Sequence, residues 1–341
     1  MPGSQELEQG RRHEAQPIPS GYKLLFPHFE LVVSAPLMAA YMRQSVQLSL
    51  AGMIAAGKSG IDHAMAEYDA ILKPLLNHVG SEKVVLLRNR HPETEALPPP
   101  DTGLETKTLN TKTLYSNYYW PRDFFTTING LTIVNSDAFD PLPESENLAY
   151  SLFGDGGSVI SAKNSVVVRE SLWREERKGS IVRLLKNMGV TIASLPDVNN
   201  EKQENPLAIN GNISHIDGHA SLIVDKQGGI RLFVAKSYAY QGNHALSNIR
   251  RAADTIGARI TIVDDANLPP LPLNLIQFED GTVFVTKTND GSLEKVLADA
   301  VGGEHVLTTD IPIVGLPKIT KGSVRCMINV VPQTLLQQLT A

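Results

Sequence analysis

A chain of 341 residues is long enough to bury a full hydrophobic core, as one large domain or two ordinary ones. Hydrophobic residues make up 42% and charged residues 20%, and the formal net charge of -5 is spread without any block of like charges; this argues against a nucleic-acid or membrane-surface protein and favours small cationic partners. The single cysteine, Cys326, cannot close an internal disulfide, so nothing points to an oxidising compartment and a cytoplasmic location is expected.

Residues 1–22 lack an apolar signal-like core and read as a disordered lead-in to one large domain over residues 23–341. The first predicted strand is Glu30–Ser34 and the first helix Pro36–Arg43. The apolar stretch from Ala35 to Gly57 is interrupted by Arg43, Gln44, Ser45 and Gln47, so it is no membrane span. Within it, Gly52–Ser59 (GMIAAGKS) matches the phosphate-loop pattern G-x-x-x-x-G-K-[ST]. Val46, Leu48 and Leu50 alternate like a strand ahead of it, and an amphipathic helix follows. Against a nucleotide site, Gln44, Ser45, Gln47 and Ser49 do not suit a strand buried in a parallel sheet, and Gly57 and Gly60 can equally end a helix. The next helix, Ile61–His78, sets Ile61, Tyr68, Ile71, Leu72, Leu75 and Leu76 on one face.

Further along, strand Lys83–Leu87 leads into a Pro-rich loop at 90–103. Strands follow at Leu131–Asn135, Ser158–Ile160 and Ser165–Val168, then a helix at Leu172–Met188 and a strand at Thr191–Leu195. Strands Ala220–Val224 and Leu232–Ala235, helix Ala245–Ile256, strands Arg259–Val263 and Thr282–Thr286, helix Leu293–Val301 and a last strand Ser323–Asn329 complete the order. Hairpins with glycine turn signals, interspersed with helices, predict an α/β chain. No internal repeat is legible in residue identities.

Four stretches concentrate chemistry. In YYWPRDFFTTING (118–130), Arg122 and Asp123 sit among bulky rings, where charges must be paired or reactive because bare burial is costly. A structural Arg–Asp pair at a strand start is the plain alternative. In FGDGGSVISAKNSVVV (153–168), Asp155-Gly156-Gly157 taken alone is an ordinary hairpin turn. In SHIDGHASLIVD (214–225), His215 and His219 have a helical metal-site spacing, but β-rich sequence follows and no third ligand accompanies them, so no metal is expected. His219 reads as a neutral or surface histidine. Alternation along a strand end would instead put His215 and Asp217 on one face. The fourth stretch, KGSVRCMINVVPQ (321–333), carries Cys326, which needs a base or a cation nearby to become a thiolate. Together Cys326, His215 and the carboxylates Asp123, Asp155 and Asp217 make a coherent set for a planar cation such as a guanidinium, which takes bidentate carboxylate bonds.

Taken together and in this order, the stretches resemble the guanidine-modifying (pentein) superfamily, which includes arginine, agmatine and bacterial peptidylarginine deiminases, dimethylarginine hydrolases and amidinotransferases. WPRD (120–123) is similar to the family's W-x-R-D; GDGGSVI (154–160) to its E-G-G-[DNS]; HIDGHA (215–220) to its H-x-D; LNLIQFEDGTVFV (273–285) to the N-F-x(n)-G-x-V-x-V stretch; and GSVRCMINVVP (322–332) to the segment ending in the nucleophile. The departures are Asp155 in place of Glu, Gly322-Ser323 in place of a longer glycine run, and Phe124-Phe125 after WPRD.

The resemblance implies a five-bladed pseudo-symmetric α/β propeller of ββαβ units, forming a single catalytic domain. It implies catalytic roles for Cys326, His215 and Asp155, and substrate-binding roles for Asp123, Asp217, Arg122, Trp120, Arg325 and Asn274, with no metal or organic cofactor. Cys326 would attack a guanidinium held by Asp123 and Asp217, and Asp155 would orient His215; Arg325 would meet a carboxylate of the substrate. The expected protein is a deiminase of arginine, agmatine or a derivative, giving a ureido product and ammonia, with a small-molecule partner and neither nucleic acid nor membrane. Amidino transfer to an amine, a non-catalytic binding protein on the same scaffold, nucleotide binding through Gly52–Ser59, and assembly into a homo-oligomer stay open.

Overall fold

The computed structural model describes residues 16–27, 63, 65–89, 103–109, 121–140, 147–198, 215–314 and 323–340. The predicted strand Glu30–Ser34, helix Pro36–Arg43, the Gly52–Ser59 motif, Trp120 and most of the Pro-rich loop lie outside these residues.

Among the described residues, sixteen strands build five small sheets with one repeated plan. In the second sheet, β4 (Phe125–Ile128) pairs antiparallel with β5 (Leu131–Asn135), which pairs parallel with β6 (Leu148–Ser151). The third sheet repeats this with β7 (Val159–Ala162), β8 (Ser165–Arg169) and β9 (Thr191–Leu195). The fourth has β10 (Ala220–Val224), β11 (Ile230–Ala235) and β12 (Arg259–Val263), and the fifth β13 (Ile276–Gln277), β14 (Val283–Val285) and β15 (Val306–Thr308). Parallel neighbours need a crossover, usually a helix. In the third sheet it carries helices Glu170–Glu176 and Ser180–Asn187, in the fourth Lys236–Ala239 and Ala245–Ile256, and in the fifth Ser292–Val301.

The first sheet follows the plan across the chain ends. Strand β1 (Tyr22–Pro27) crosses through the helix at 65–79 to its parallel partner β2 (Val84–Asn89), which pairs in turn with β3 (Glu105–Leu109). The antiparallel partner of β1 is the last strand, β16 (Asn329–Pro332), in the register Tyr22↔Pro332 to Leu25↔Asn329. The C-terminal helix Gln333–Leu339 then buries Leu335, Leu336 and Leu339 against Leu25, Val85 and Phe125.

The initial strands of the five units form an inner ring. β4 packs against β16 and β7, and β7 packs against β10. β10 is tied to the start of the fifth unit by Ser221 Oγ donating to Leu273 O at 2.9 Å, and by the Gln277 amide bonding both N and O of Val224. The fifth unit returns to the first through Arg325 N donating to Asn274 O at 3.3 Å. This is the expected five-bladed α/β propeller. Its repeat lives in strand order and pairing sense, which residue identities do not display.

The helix at 65–79 buries Tyr68, Ile71, Leu72 and Leu75, as its periodicity predicts. The helix expected over Leu172–Met188 is instead two, because Gly179 adopts an extended conformation between them. The last strand, expected over Ser323–Asn329, begins only at Asn329; residues 323–328 form turns that turn the apolar Val324, Met327 and Ile328 into the core. Within the segment read as a disordered lead-in, Ile18 is buried and Pro17 O accepts from Glu279 N. Among the described residues, no helix is long and apolar enough to cross a membrane.

Candidate active site

Each of the five units contributes the turn that leads into its first strand. Asp123 ends a 3-10 turn, Pro121–Asp123, just before β4; Asp155 precedes β7; His215 caps the 3-10 turn Ile216–Gly218 before β10 and Asp217 is its middle residue; Asn274 precedes β13; and Cys326 precedes β16. Backbone hydrogen bonds link successive turns. Arg122 N donates to Cys326 O (3.4 Å), Gly156 N to Arg122 O (2.9 Å), and Asp217 N to Gly157 O (3.3 Å). Residues distant in sequence are thereby held by main chain, which side-chain rotation cannot undo.

Local sequence explains these turns. Pro121 fixes φ for the first residue of its turn, and Asn329 Nδ2 clamps it from β16 by donating to Pro121 O (3.0 Å) and Phe125 O (2.6 Å). Asn135 Nδ2 holds Asp123 O at 2.9 Å. The Asp155-Gly156-Gly157 segment is not the turn between hairpin strands; that turn is at Lys163-Asn164, with Lys163 at φ 49°. Its glycines serve close approach, because a methyl on Gly156 would meet Arg122 and one on Gly157 would overlap the His215 ring. His215 and Asp217 are likewise not strand neighbours. A 3-10 turn, with His215 extended as its cap, brings them to the same place.

Cys326 is 5% exposed. Asn274 grips it from both sides: its Nδ2 donates to Sγ at 3.2 Å and its Oδ1 accepts from the Cys326 N at 3.2 Å. The thiol faces Asp217 Oδ2 at 3.9 Å. The same Oδ2 faces Arg325 Nε at 3.5 Å, while Arg325 Nη2 donates to Val159 O at 3.1 Å. His215 Nε2 lies 3.5 Å from Asp155 Oδ1. Asp155 Oδ1 also accepts from Gly157 N (3.2 Å), and its Oδ2 accepts from Ser158 Oγ (2.6 Å). Ligand-type atoms of Asp123, Asp155 and His215 all lie within 4.8 Å of one another, so among the described residues these three could also hold a metal ion. His219 does not join them; its ring lies 5.9 Å from that of Tyr238.

Burial and charge set the protonation states. Burial pushes the Cys326 thiol well above its ordinary range, and the carboxylates of Asp217 and Asp123 push it further. Asp123 is raised to about 7, by burial first and only partly offset by His215. Asp217 is raised by burial against the opposing pull of Arg325. Burial would lower His215, but Asp155, Asp123 and Asp217 overcome it and raise the imidazole to about 9. Arg122 is lowered to about 9, first by burial and then by Arg325. Arg122 Nε and Asp123 Oδ1 have no hydrogen-bond partner among the described residues.

No protein-family model and no curated protein matches the chain. Solved structures do match over nearly the whole length. The C. jejuni agmatine deiminase aligns with a TM-score of 0.50 at 15% identity, covering 91% of this chain and 92% of its own. The N-terminal domain of ArgZ, an arginine dihydrolase from the ornithine-ammonia cycle in cyanobacteria, aligns with a TM-score of 0.53 at 10% identity, covering 92% and 98%. The chain has the pentein fold. In that fold, eight of the nine residues expected from sequence lie in or beside the converging entry turns; the ninth, Trp120, is outside the described residues.

Sequence reading missed Ser158, Asn135, Asn329 and Arg169. The first three are polar residues in apolar surroundings, which is the signal that could have found them; Arg169 bears on the charge of His215 from the end of β8. The guanidinium of Arg325, expected to meet a substrate carboxylate, is buried against Asp217 and Val159 O.

Proposed function

We propose that this chain is a cysteine-dependent hydrolase of a small guanidino compound, arginine, agmatine or a derivative, releasing ammonia and a ureido product. One observation supports the reading: a buried thiol faces Asp217 Oδ2 at 3.9 Å, and the charges of Asp217 and Asp123 hold back its ionisation. A guanidinium bonded to Asp123 and Asp217 would offset their negative charge and so favour release of the thiol proton to solvent.

In this reading the Cys326 thiolate attacks the guanidinium carbon, forming a C–S bond and a tetrahedral adduct. His215, raised to about 9 and therefore imidazolium at neutral pH, gives its proton to the departing nitrogen, which leaves as ammonia. The covalent thiouronium remains. Neutral His215 then takes one proton from water as the oxygen attacks, and on collapse the C–S bond breaks while the remaining hydroxyl proton passes to the departing sulfur, freeing the ureido product and the Cys326 thiol. Asp155 holds the imidazole throughout, and Asn274 holds the sulfur.

A ureido-product assay across a panel of guanidino compounds tests this, together with intact-mass trapping of the adduct. The wild-type protein is expected to form product and a Cys326 adduct, and Cys326→Ser to lose both. Full turnover by Cys326→Ser would rule out the covalent route. Product that appears only when an amine acceptor is supplied would mean amidino transfer in place of hydrolysis.

A further inference from the structure

Asp155 has a short side chain, and its useful contact with His215 is long, at 3.5 Å between Oδ1 and Nε2. A pair at that distance depends on which way the carboxylate plane is turned. Two donors set that plane. Gly157 N reaches Oδ1 at 3.2 Å, on the same oxygen that faces the imidazole. Ser158 Oγ reaches Oδ2 at 2.6 Å, a short charge-assisted bond on the oxygen that does not face His215. Ser158 has no exposed surface, and its main chain is fixed on both sides: its N donates to Asp155 O at 3.1 Å and its O accepts from Arg169 N at 3.0 Å. The hydroxyl is therefore presented by rigid backbone at the mouth of β7.

We propose that Ser158 is a positioning residue of the active site: by holding Oδ2 of Asp155 it turns Oδ1 toward His215 and keeps the imidazole oriented. It rests on the reading of His215 as acid and base given above. The groups that bear on His215 are Asp155, Asp123 and Asp217, which favour its charged form, and Arg169, which opposes it. Among the four, Asp155 has the largest influence and is the one whose carboxylate Ser158 holds. Release of Oδ2 would let the Asp155 carboxylate rotate, and the mean attraction on the ring would fall.

The test is a double-mutant cycle of Ser158→Ala with Asp155→Asn, read on His215 directly. Ser158→Ala removes one oxygen and adds no bulk, so packing is retained. The His215 Cε1–Hε1 resonance is assigned as the one of nine histidine signals missing in His215→Gln, and is titrated in each variant. Ser158→Ala is expected to lower the His215 pKa by about one unit and kcat on the best guanidino substrate by about 10-fold, with KM changed less than 3-fold. In the Asp155→Asn background the same substitution should move neither quantity. An unchanged His215 pKa in Ser158→Ala, or an equal drop in both backgrounds, would overturn the proposal, since a turn-stabilising serine acts independently of Asp155. If the wild-type protein turns over no guanidino compound, the proposed function fails while the NMR titration still decides the role of Ser158.

Discussion

At the scale of single residues, the site is a balance between burial and charge. Asp123, Asp217 and the Cys326 thiol are all pushed toward their neutral forms by burial, whereas His215 is pushed toward its charged form by the carboxylates around it. Arg325 is the counterweight inside the wall, because its charge opposes the effect of burial on Asp217. The pH dependence follows from the signs. In the proposed mechanism Asp123, raised to about 7, loses its proton to hold the cation, so its ionisation should make kcat/KM rise as pH passes upward through about 7. In the same mechanism His215, raised to about 9, keeps its proton to release ammonia, so its deprotonation should make kcat/KM fall above about 9. Steady-state kinetics from pH 5.5 to 10.5 would check this bell. A profile with no alkaline limb would remove His215 as the acid.

At the scale of elements, the GDGG entry segment (154–157) shows how nearby glycines serve different ends. A methyl on Gly154 would overlap the main chain of Val134 and Asn135, backbone of a central strand that cannot give way. The atoms nearest to a methyl on Gly157 belong to the imidazole of His215, a side chain that can swing aside. Gly154→Ala should therefore destabilise the fold by about 3 kcal/mol. Gly157→Ala should keep most of the stability and lose about 100-fold in kcat through the displaced ring. Urea melts and kinetics on both variants separate the two effects; a normal kcat in Gly157→Ala would mean that the ring is not where it must act.

At the scale of the whole molecule, one strand pairing closes the propeller. β16 supplies the antiparallel partner of β1, and the helix after it buries three leucines in the same core as Phe125 and Val134. Each of those leucines contributes about 2 kcal/mol on burial, and loss of β16 also leaves the β1 ladder unpaired on that side. Against a typical total of about 5–15 kcal/mol, deletion of residues 329–341 should abolish cooperative unfolding in urea. A sharp transition with an unchanged m-value would show that the ring does not depend on its closure.

Local physics made much of this legible in the sequence. Period and turn chemistry act over a few residues, so Leu131–Asn135, Thr191–Leu195, Ala220–Val224, Arg259–Val263 and Ala245–Ile256 could be placed directly. The inventory of the site was equally visible, because a thiol, a histidine and three carboxylates advertise their chemistry wherever they stand. Only the tertiary structure decided their company. Asp217 meets Cys326 across 109 residues and Asn274 meets it across 52, through turns whose convergence depends on the order and pairing of five sheets. The break at Gly179, the late start of the last strand, the engagement of Arg325 with Asp217 and the hold of Ser158 on Asp155 were all hidden for the same reason. Each is set by what packs against the residue, and that is a property of the closed ring rather than of any stretch of chain.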